Sequence, residues 1–196
     1  MKKVVKFGGS SLADAAQFKK VAEIIHADES RVYVIPSAPG KRFSGDTKVT
    51  DLLYHMYEEA KEKKDFSKTL QTIKDRYDQI IKGLGLKNFS LDREFDVIEH
   101  ELLDDPDEDY TASRGEYLNG RIMARYLKYE FIDAQEVIFF YEDGSLNLEK
   151  TTFTLRRRLE KVPRAVIPGF YGQGYNMKVK TFSRGGSDIT GALVAK

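Results

Sequence analysis

Three short segments carry residue types that can do chemistry. The first is Lys6-Phe7-Gly8-Gly9-Ser10-Ser11. Two adjacent glycines let the backbone come close to a ligand and turn N–H groups toward it. The lysine beside them brings positive charge, and two hydroxyls add hydrogen bonds. That set suits the oxygens of a triphosphate. It also suits a plain glycine turn next to a surface lysine. The second segment is Ser183-Arg184-Gly185-Gly186-Ser187-Asp188. Ser187 and Asp188 stand where they can cap a helix, whose free N–H groups favour an anion. Arg184 can hold a carboxylate through two parallel hydrogen bonds. Asp188 can pair with Lys6 or help position a metal-bound phosphate. An ordinary capped helix after a glycine turn would show the same residues. The third segment is Ser113-Arg114-Gly115-Glu116, read here at the front of a helix. A glutamate there is electrostatically comfortable without any function. Its functional use would be to receive the ammonium group of an amino acid.

These segments need elements to position them. Val4 to Phe7 reads as a buried strand ending at Gly8-Gly9, and Asp14 to His26 as a helix with Phe18, Val21, Ala22 and Ile25 on one face. Val32 to Ile35 is a second strand, stopped by Pro36. Residues 37–49 are loop. Thr50 to Lys64, Ser67 to Lys82, Leu91 to Leu103 and Ser113 to Lys128 have helical apolar spacing, with an acidic turn at 104–109. Val137 to Tyr141, Ala165 to Ile167 and Val179 to Phe182 read as strands. A short helix spans Thr154 to Lys161, and another Ser187 to Lys196. Strands alternating with helices predict an α/β fold with a largely parallel sheet, in which ligands sit at the carboxyl ends of the strands. The glycine segments fall at those ends.

Composition narrows the function classes. The chain has 196 residues, 41% hydrophobic and 32% charged, as expected of one large globular domain. Its 32 basic and 31 acidic residues leave a net charge of +1, so no global field draws it to nucleic acid or a membrane. Arg156-Arg157-Arg158, flanked by leucines, reads as a solvated helix face. There is no cysteine, hence no disulfide or thiol chemistry, and no apolar run of membrane-spanning length. Met1-Lys2-Lys3 leads only to an interrupted apolar run, so no secretory leader is read and the expected compartment is the cytoplasm.

Several motifs can be set aside. The Walker spacing is missing, Gly172-Gln173-Gly174 lacks the last glycine of a dinucleotide fingerprint because Met177 stands there, and no protein-kinase signature occurs. His100-Glu101 meets Asp104 where a zinc protease needs its second histidine. Asp105, Asp107, Asp109 and Glu116 have the spacing of a calcium loop, but Tyr110 replaces the obligatory glycine and Pro106 stiffens the start, which leaves a solvated acidic loop. No protein metal site is read.

Taken together and in order, the segments KFGGSSLA (6–13), VIPSAPG (34–40), KVTDLL (48–53), SRGEYLNGRIMARYL (113–127), VIPGFYG (166–172) and FSRGGSDITGALVA (182–195) resemble the aspartate kinase branch of the amino acid kinase superfamily. The resemblance runs from end to end. It implies a three-layer α/β/α sandwich with a mostly parallel central sheet, and transfer of the γ-phosphoryl group of ATP, with Mg2+, to the side-chain carboxylate of L-aspartate. That reaction opens the route to lysine, threonine, methionine and diaminopimelate. Carried over by residue, it implies that Lys6, Gly8, Gly9 and Ser10 cradle the phosphates, with Ser37 close to the transferring group. Thr50, Glu116, Arg184 and Ser187 hold aspartate, Arg184 taking its α-carboxylate and Glu116 its amino group. Asp188 organises Lys6, the catalytic lysine.

Members of that branch continue past residue 196. The resemblance therefore implies that residues 1–196 are the N-terminal part of the catalytic domain. The rest of the nucleotide pocket would lie outside this chain, as would the regulatory ACT domains through which the parent enzyme would form a homo-oligomer. Two other readings stand beside it: a sister kinase acting on glutamate or acetylglutamate, and a fragment that binds aspartate without turnover.

Overall fold

The computed structural model describes residues 2–183 and 185–196. Strand β1 (Lys3–Phe7) leads through a 3-10 turn (Gly9–Leu12) into α1 (Ala15–His26) and back to the sheet as β2 (Arg31–Pro36). Four helices follow: α2 (Val49–Lys61), α3 (Ser67–Gly83), α4 (Asp92–Asp104) and α5 (Glu108–Leu127). The chain continues through β3 (Glu130–Phe131), α6 (Ala134–Val137), α7 (Leu148–Leu159) and β4 (Ala165–Val166). It ends with β5 (Tyr171–Gln173), β6 (Val179–Thr181) and α8 (Gly186–Ala195).

The main sheet has the order β1-β2-β4-β3, and its three strand pairs are parallel. Alternation along its central strands divides the core in two. Val34 and Val166 face a cluster built with α1 to α5. Tyr33, Ile35, Ala165 and Ile167 face the other side, against α6, α7, α8 and the β5–β6 ribbon. A parallel strand covered on both faces must be apolar on both, which is why VYVI is an unbroken apolar run. This is the three-layer α/β/α arrangement that the resemblance implies.

Four expectations are corrected. Residues 137–141 do not form a strand: Val137 ends α6, and only single bridges occur at Phe139 and Phe140. Asp133 caps that short helix by accepting from the Gln135 N–H, while the Phe139 N–H is taken by the Thr151 hydroxyl at 3.0 Å. The run is apolar because Val137 to Phe140 are buried, and its pairing stops at isolated bridges to Gln173 and Leu146. The acidic stretch 104–109 is not one turn. Asp107 accepts from the Tyr110 N–H at 2.7 Å and starts α5 at Glu108, so Ser113 to Glu116 lie inside the helix rather than at its front. Asn147 starts α7 at Leu148, well before Thr154. Finally, β6 pairs antiparallel with β5 in a ribbon outside the parallel sheet.

Candidate functional site

The site forms where the carboxyl ends of β1, β2 and β4 align. The Ser37 N–H donates to Phe7 O at 3.0 Å, and the Gly169 N–H to Pro36 O at 3.3 Å, so the loops after the three strands lie side by side. The first two loops touch backbone to backbone. The Gly40 N–H donates to Gly9 O at 2.8 Å, and a Cβ on Gly9 would stand 2.8 Å from Ala38 O. No side chain fits between them.

Lys6 projects from β1 into this corner. Its Nζ lies 3.0 Å from Asp188 Oδ1. The Asp188 side chain is 71% exposed, so the pair adds little to stability and leaves the lysine accessible. Among the described residues, and leaving out the chain neighbours of Gly8, Lys6 Nζ is the only atom within 4 Å of where a Gly8 Cβ would lie. Ser10 is exposed beside it.

Helix α5 supplies the buried half. Gly115 lets it approach the Ser37–Gly40 loop, since a Cβ there would stand 2.8 Å from the Ala38 Cβ. The next residue, Glu116, is 5% exposed. Its Oε1 accepts from the Ala38 N–H at 3.1 Å, and its Oε2 is buried without a partner among the described residues. Burial pushes its carboxyl up to about 7, against the opposing pull of the Ala38 N–H and the Lys6 charge. One turn on, the Asn119 amide donates to Ser37 O at 2.6 Å, and among the described residues its own Oδ1 is likewise buried without a partner. Two orphaned buried acceptors side by side are costly, on the order of 1–3 kcal/mol each, and mark a place that expects donors.

The remaining predicted residues fall as follows. Ser37 and Ser187 meet, Oγ to Oγ, at 3.1 Å. Ser187 is buried and used in that contact, and Asp188 faces Lys6. Neither caps α8, which starts at the left-handed Gly185 with no side-chain cap, so the expected capping is corrected. Thr50 sits half-buried in the first turn of α2, its methyl toward Gly115. Arg184 lies outside the described residues. The structure thus gathers Lys6, Gly8, Gly9, Ser37, Glu116, Ser187 and Asp188 at one corner.

Sequence reasoning missed Asn119 and Arg76. Asn119 had a signal, because a residue three after Glu116 shares its helix face. Arg76 had none. It reaches from α3 to donate to Gly40 O at 2.8 Å, Thr47 O at 3.0 Å and Asp46 Oδ2 at 3.0 Å, and so fixes the loop that borders Gly9. Among the described residues no group of three His, Asp or Glu side chains can hold a metal ion, and no helix is long and apolar enough to cross a membrane.

Known proteins place this geometry. Aspartokinase 3 of Bacillus subtilis is 35% identical over 206 residues, covering 98% of this chain and 45% of the relative. The chloroplastic aspartokinase 1 of Arabidopsis thaliana is 30% identical over 230 residues, covering 98% and 37%. The crystal structure of Clostridium acetobutylicum aspartate kinase superposes with a TM-score of 0.95 at 47% identity, covering 100% of this chain and 45% of that one. The structure of E. coli aspartokinase III in complex with aspartate and ADP superposes at 0.81 with 23% identity, a likeness of fold, covering 100% and 46%. The chain spans less than half the length of these relatives. Residues 1–196 match the amino acid kinase family along their whole length, and the chain belongs to that family.

Proposed function

We propose that this chain transfers the γ-phosphoryl group of ATP to the side-chain carboxylate of L-aspartate, giving 4-phospho-L-aspartate and ADP at the head of lysine, threonine and methionine biosynthesis. Residues 1–196 then all belong to the catalytic domain. The observation that carries the reading is Glu116, a buried carboxylate with one oxygen held by the Ala38 N–H and the other without a partner among the described residues, in the corner that holds Lys6 and Asp188. An ammonium group is what that oxygen lacks. The complex of E. coli aspartokinase III with aspartate and ADP supports the same pair of ligands.

In this reading Lys6, Gly8, Gly9 and Ser10 receive the phosphates, and Lys6 Nζ beside Gly8 fits that use. Ser37 stands near the transferring group. Thr50, Glu116, Arg184 and Ser187 hold aspartate, and Asp188 orients Lys6. The acceptor carboxylate has an ordinary pKa of about 3.9 and is already ionised, so no general base is required. The work is to bring two anions together in line and to offset their charge, which Lys6 and the loop N–H groups do. Mg2+ fits as an ion held largely by phosphate oxygens, with Asp188 the nearby carboxylate, and would neutralise charge on the transferred group.

The test is to titrate L-aspartate into the chain and follow its melting temperature, and to follow ADP release once ATP and Mg2+ are added, with L-glutamate as control. Aspartate should stabilise the chain and glutamate should not, because only a ligand of the folded state raises stability. A shift without ADP release would indicate binding without turnover. No shift with either amino acid, in a chain still folded by circular dichroism, would remove the substrate assignment.

A further inference from the structure

On the opposite face of α5 from Glu116 lies a second group that lacks its partner. Residues 114 and 116 are about 200° apart around a helix. Glu116 therefore faces the strand-end loops while Arg114 faces α4. Arg114 is 5% exposed. Its Nε donates to Ser113 Oγ at 3.0 Å and Tyr110 O at 3.3 Å, and its Nη2 to Ser113 Oγ at 2.8 Å. Among the described residues Nη1 makes no hydrogen bond, and no carboxylate forms an ion pair with Arg114. The guanidinium carbon lies 4.5 Å from the ring centres of both Tyr110 and Tyr117, and 5.4 Å from that of Tyr171. Aromatic faces ease the burial of a cation. They do not accept its in-plane N–H groups, and a buried arginine without an anion is rare.

Arg114 opens onto a cleft of about 300 Å³ between α4 and α5. Arg93 and Arg121 line the same cleft. Its single carboxylate, Glu94, is taken by Arg121 at 2.7 Å. Val97 and Ile98 give it an apolar wall. An adjoining cleft that also reaches Arg114 sets Glu101, Asp105 and Asp107 against one lysine, Lys178, and so favours an anion less.

We propose that the α4–α5 cleft is a binding site for a small carboxylate with an apolar body. The carboxylate would meet the free edge of Arg114, where a planar fork favours two parallel hydrogen bonds, with Arg93 adding charge from the rim. The body would lie on Val97, Ile98 and the ring of Tyr117, as ligands lie on the apolar walls of pockets. The site shares no residue with the Lys6 corner and does not depend on the function proposed above.

The experiment is a titration of the 15N-labelled full chain with benzoate, with benzyl alcohol as the uncharged control. Benzoate should shift amides in 93–98 and 110–121, benzyl alcohol should not, and Lys6→Met should leave the benzoate titration unchanged. Arg93→Gln, at an exposed position, should weaken benzoate several-fold without altering the melting temperature. Arg114→Lys should abolish it. If Arg114→Lys does not fold, Arg93→Gln decides alone. Absence of shifts in those segments, equal shifts with benzyl alcohol, or unchanged benzoate affinity in Arg93→Gln would each overturn the site.

Discussion

Ser37 and Ser187 are separated by 150 residues of chain, yet their hydroxyl oxygens meet at 3.1 Å. Ser37 stands just past β2, and Ser187 stands in the first turn of α8. The contact joins the two ends of the candidate site. Ser187→Ala should cost about 1 kcal/mol, the worth of one hydrogen bond, and lower the melting temperature by about 2–4 °C for a chain of this size. A thermal melt of the variant beside Ser37→Ala and the double variant checks it. If the contact is a unit, the double variant should be no worse than either single one.

Glu116 predicts a pH dependence with a definite sign. Its ordinary value is 4.5, and burial raises it to about 7 in the folded chain. Between these values the folded state binds a proton that the unfolded state has released. The contribution is therefore fully present below about pH 4.5, falls as pH rises toward 7, and is lost above that, a change on the order of 3 kcal/mol. Glu116→Gln should flatten that portion of the stability curve. Chemical denaturation of both proteins from pH 4 to pH 8 makes the comparison.

If Glu116 receives the ammonium group of aspartate, binding must also pull its proton off. Calorimetry of aspartate binding near pH 6.5, repeated in buffers of different ionisation enthalpy, should show net proton release. Glu116→Gln should abolish that release and weaken binding at least tenfold.

Gly9 and Gly40 face each other where the loops after β1 and β2 touch, and neither has room for a side chain. A methyl group on Gly9 would stand 2.8 Å from Ala38 O and 3.1 Å from Gly40 N, and backbone cannot swing aside as a side chain can. Gly9→Ala should cost about 1–3 kcal/mol and abolish nucleotide binding. Gly45→Ala, in the loop between β2 and α2, would meet only Phe43 among the described residues, at 3.8 Å, and should be close to neutral. Paired melts and nucleotide titrations separate the two.

Arg76 anchors the loop from Gly40 to Thr47. Arg42 and Arg76 together hold the Asp46 carboxyl well below the usual carboxylate range, Arg42 through the larger effect. Arg76→Leu would leave the Gly40 and Thr47 carbonyls without this donor and Asp46 with Arg42 alone, costing roughly 1–3 kcal/mol. Arg76→Lys should recover only part of this, because an ammonium cannot reach three acceptors from one planar fork. Denaturant midpoints of the three proteins rank the effect.

The sequence by itself determined the family and the repeating strand–helix order, because apolar spacing and glycine segments are local. Helices α1, α2, α3 and α4 carry one-sided apolar patterns and lie within a few residues of where spacing puts them. Local signals ended where burial and pairing look alike. The run from Val137 to Tyr141 is as apolar as a strand, yet Ala134 O takes the Ile138 N–H and the Thr151 hydroxyl takes the Phe139 N–H. The front of α5 was hidden because Asp107 and its neighbours read equally as an acidic turn and as a cap with a charged first turn.

Only the tertiary structure decided the site itself. Lys6 names its charge in the sequence, but its 3.0 Å contact with Asp188 depends on how α8 packs on β1. Glu116 looks like any helical glutamate until the Ser37–Gly40 loop closes over it and removes water. The raised carboxyl, the orphaned oxygen and the anchoring by Arg76 all come from that closure. Desolvation is a property of what surrounds a residue, and the residues that surround these are scattered from one end of the chain to the other.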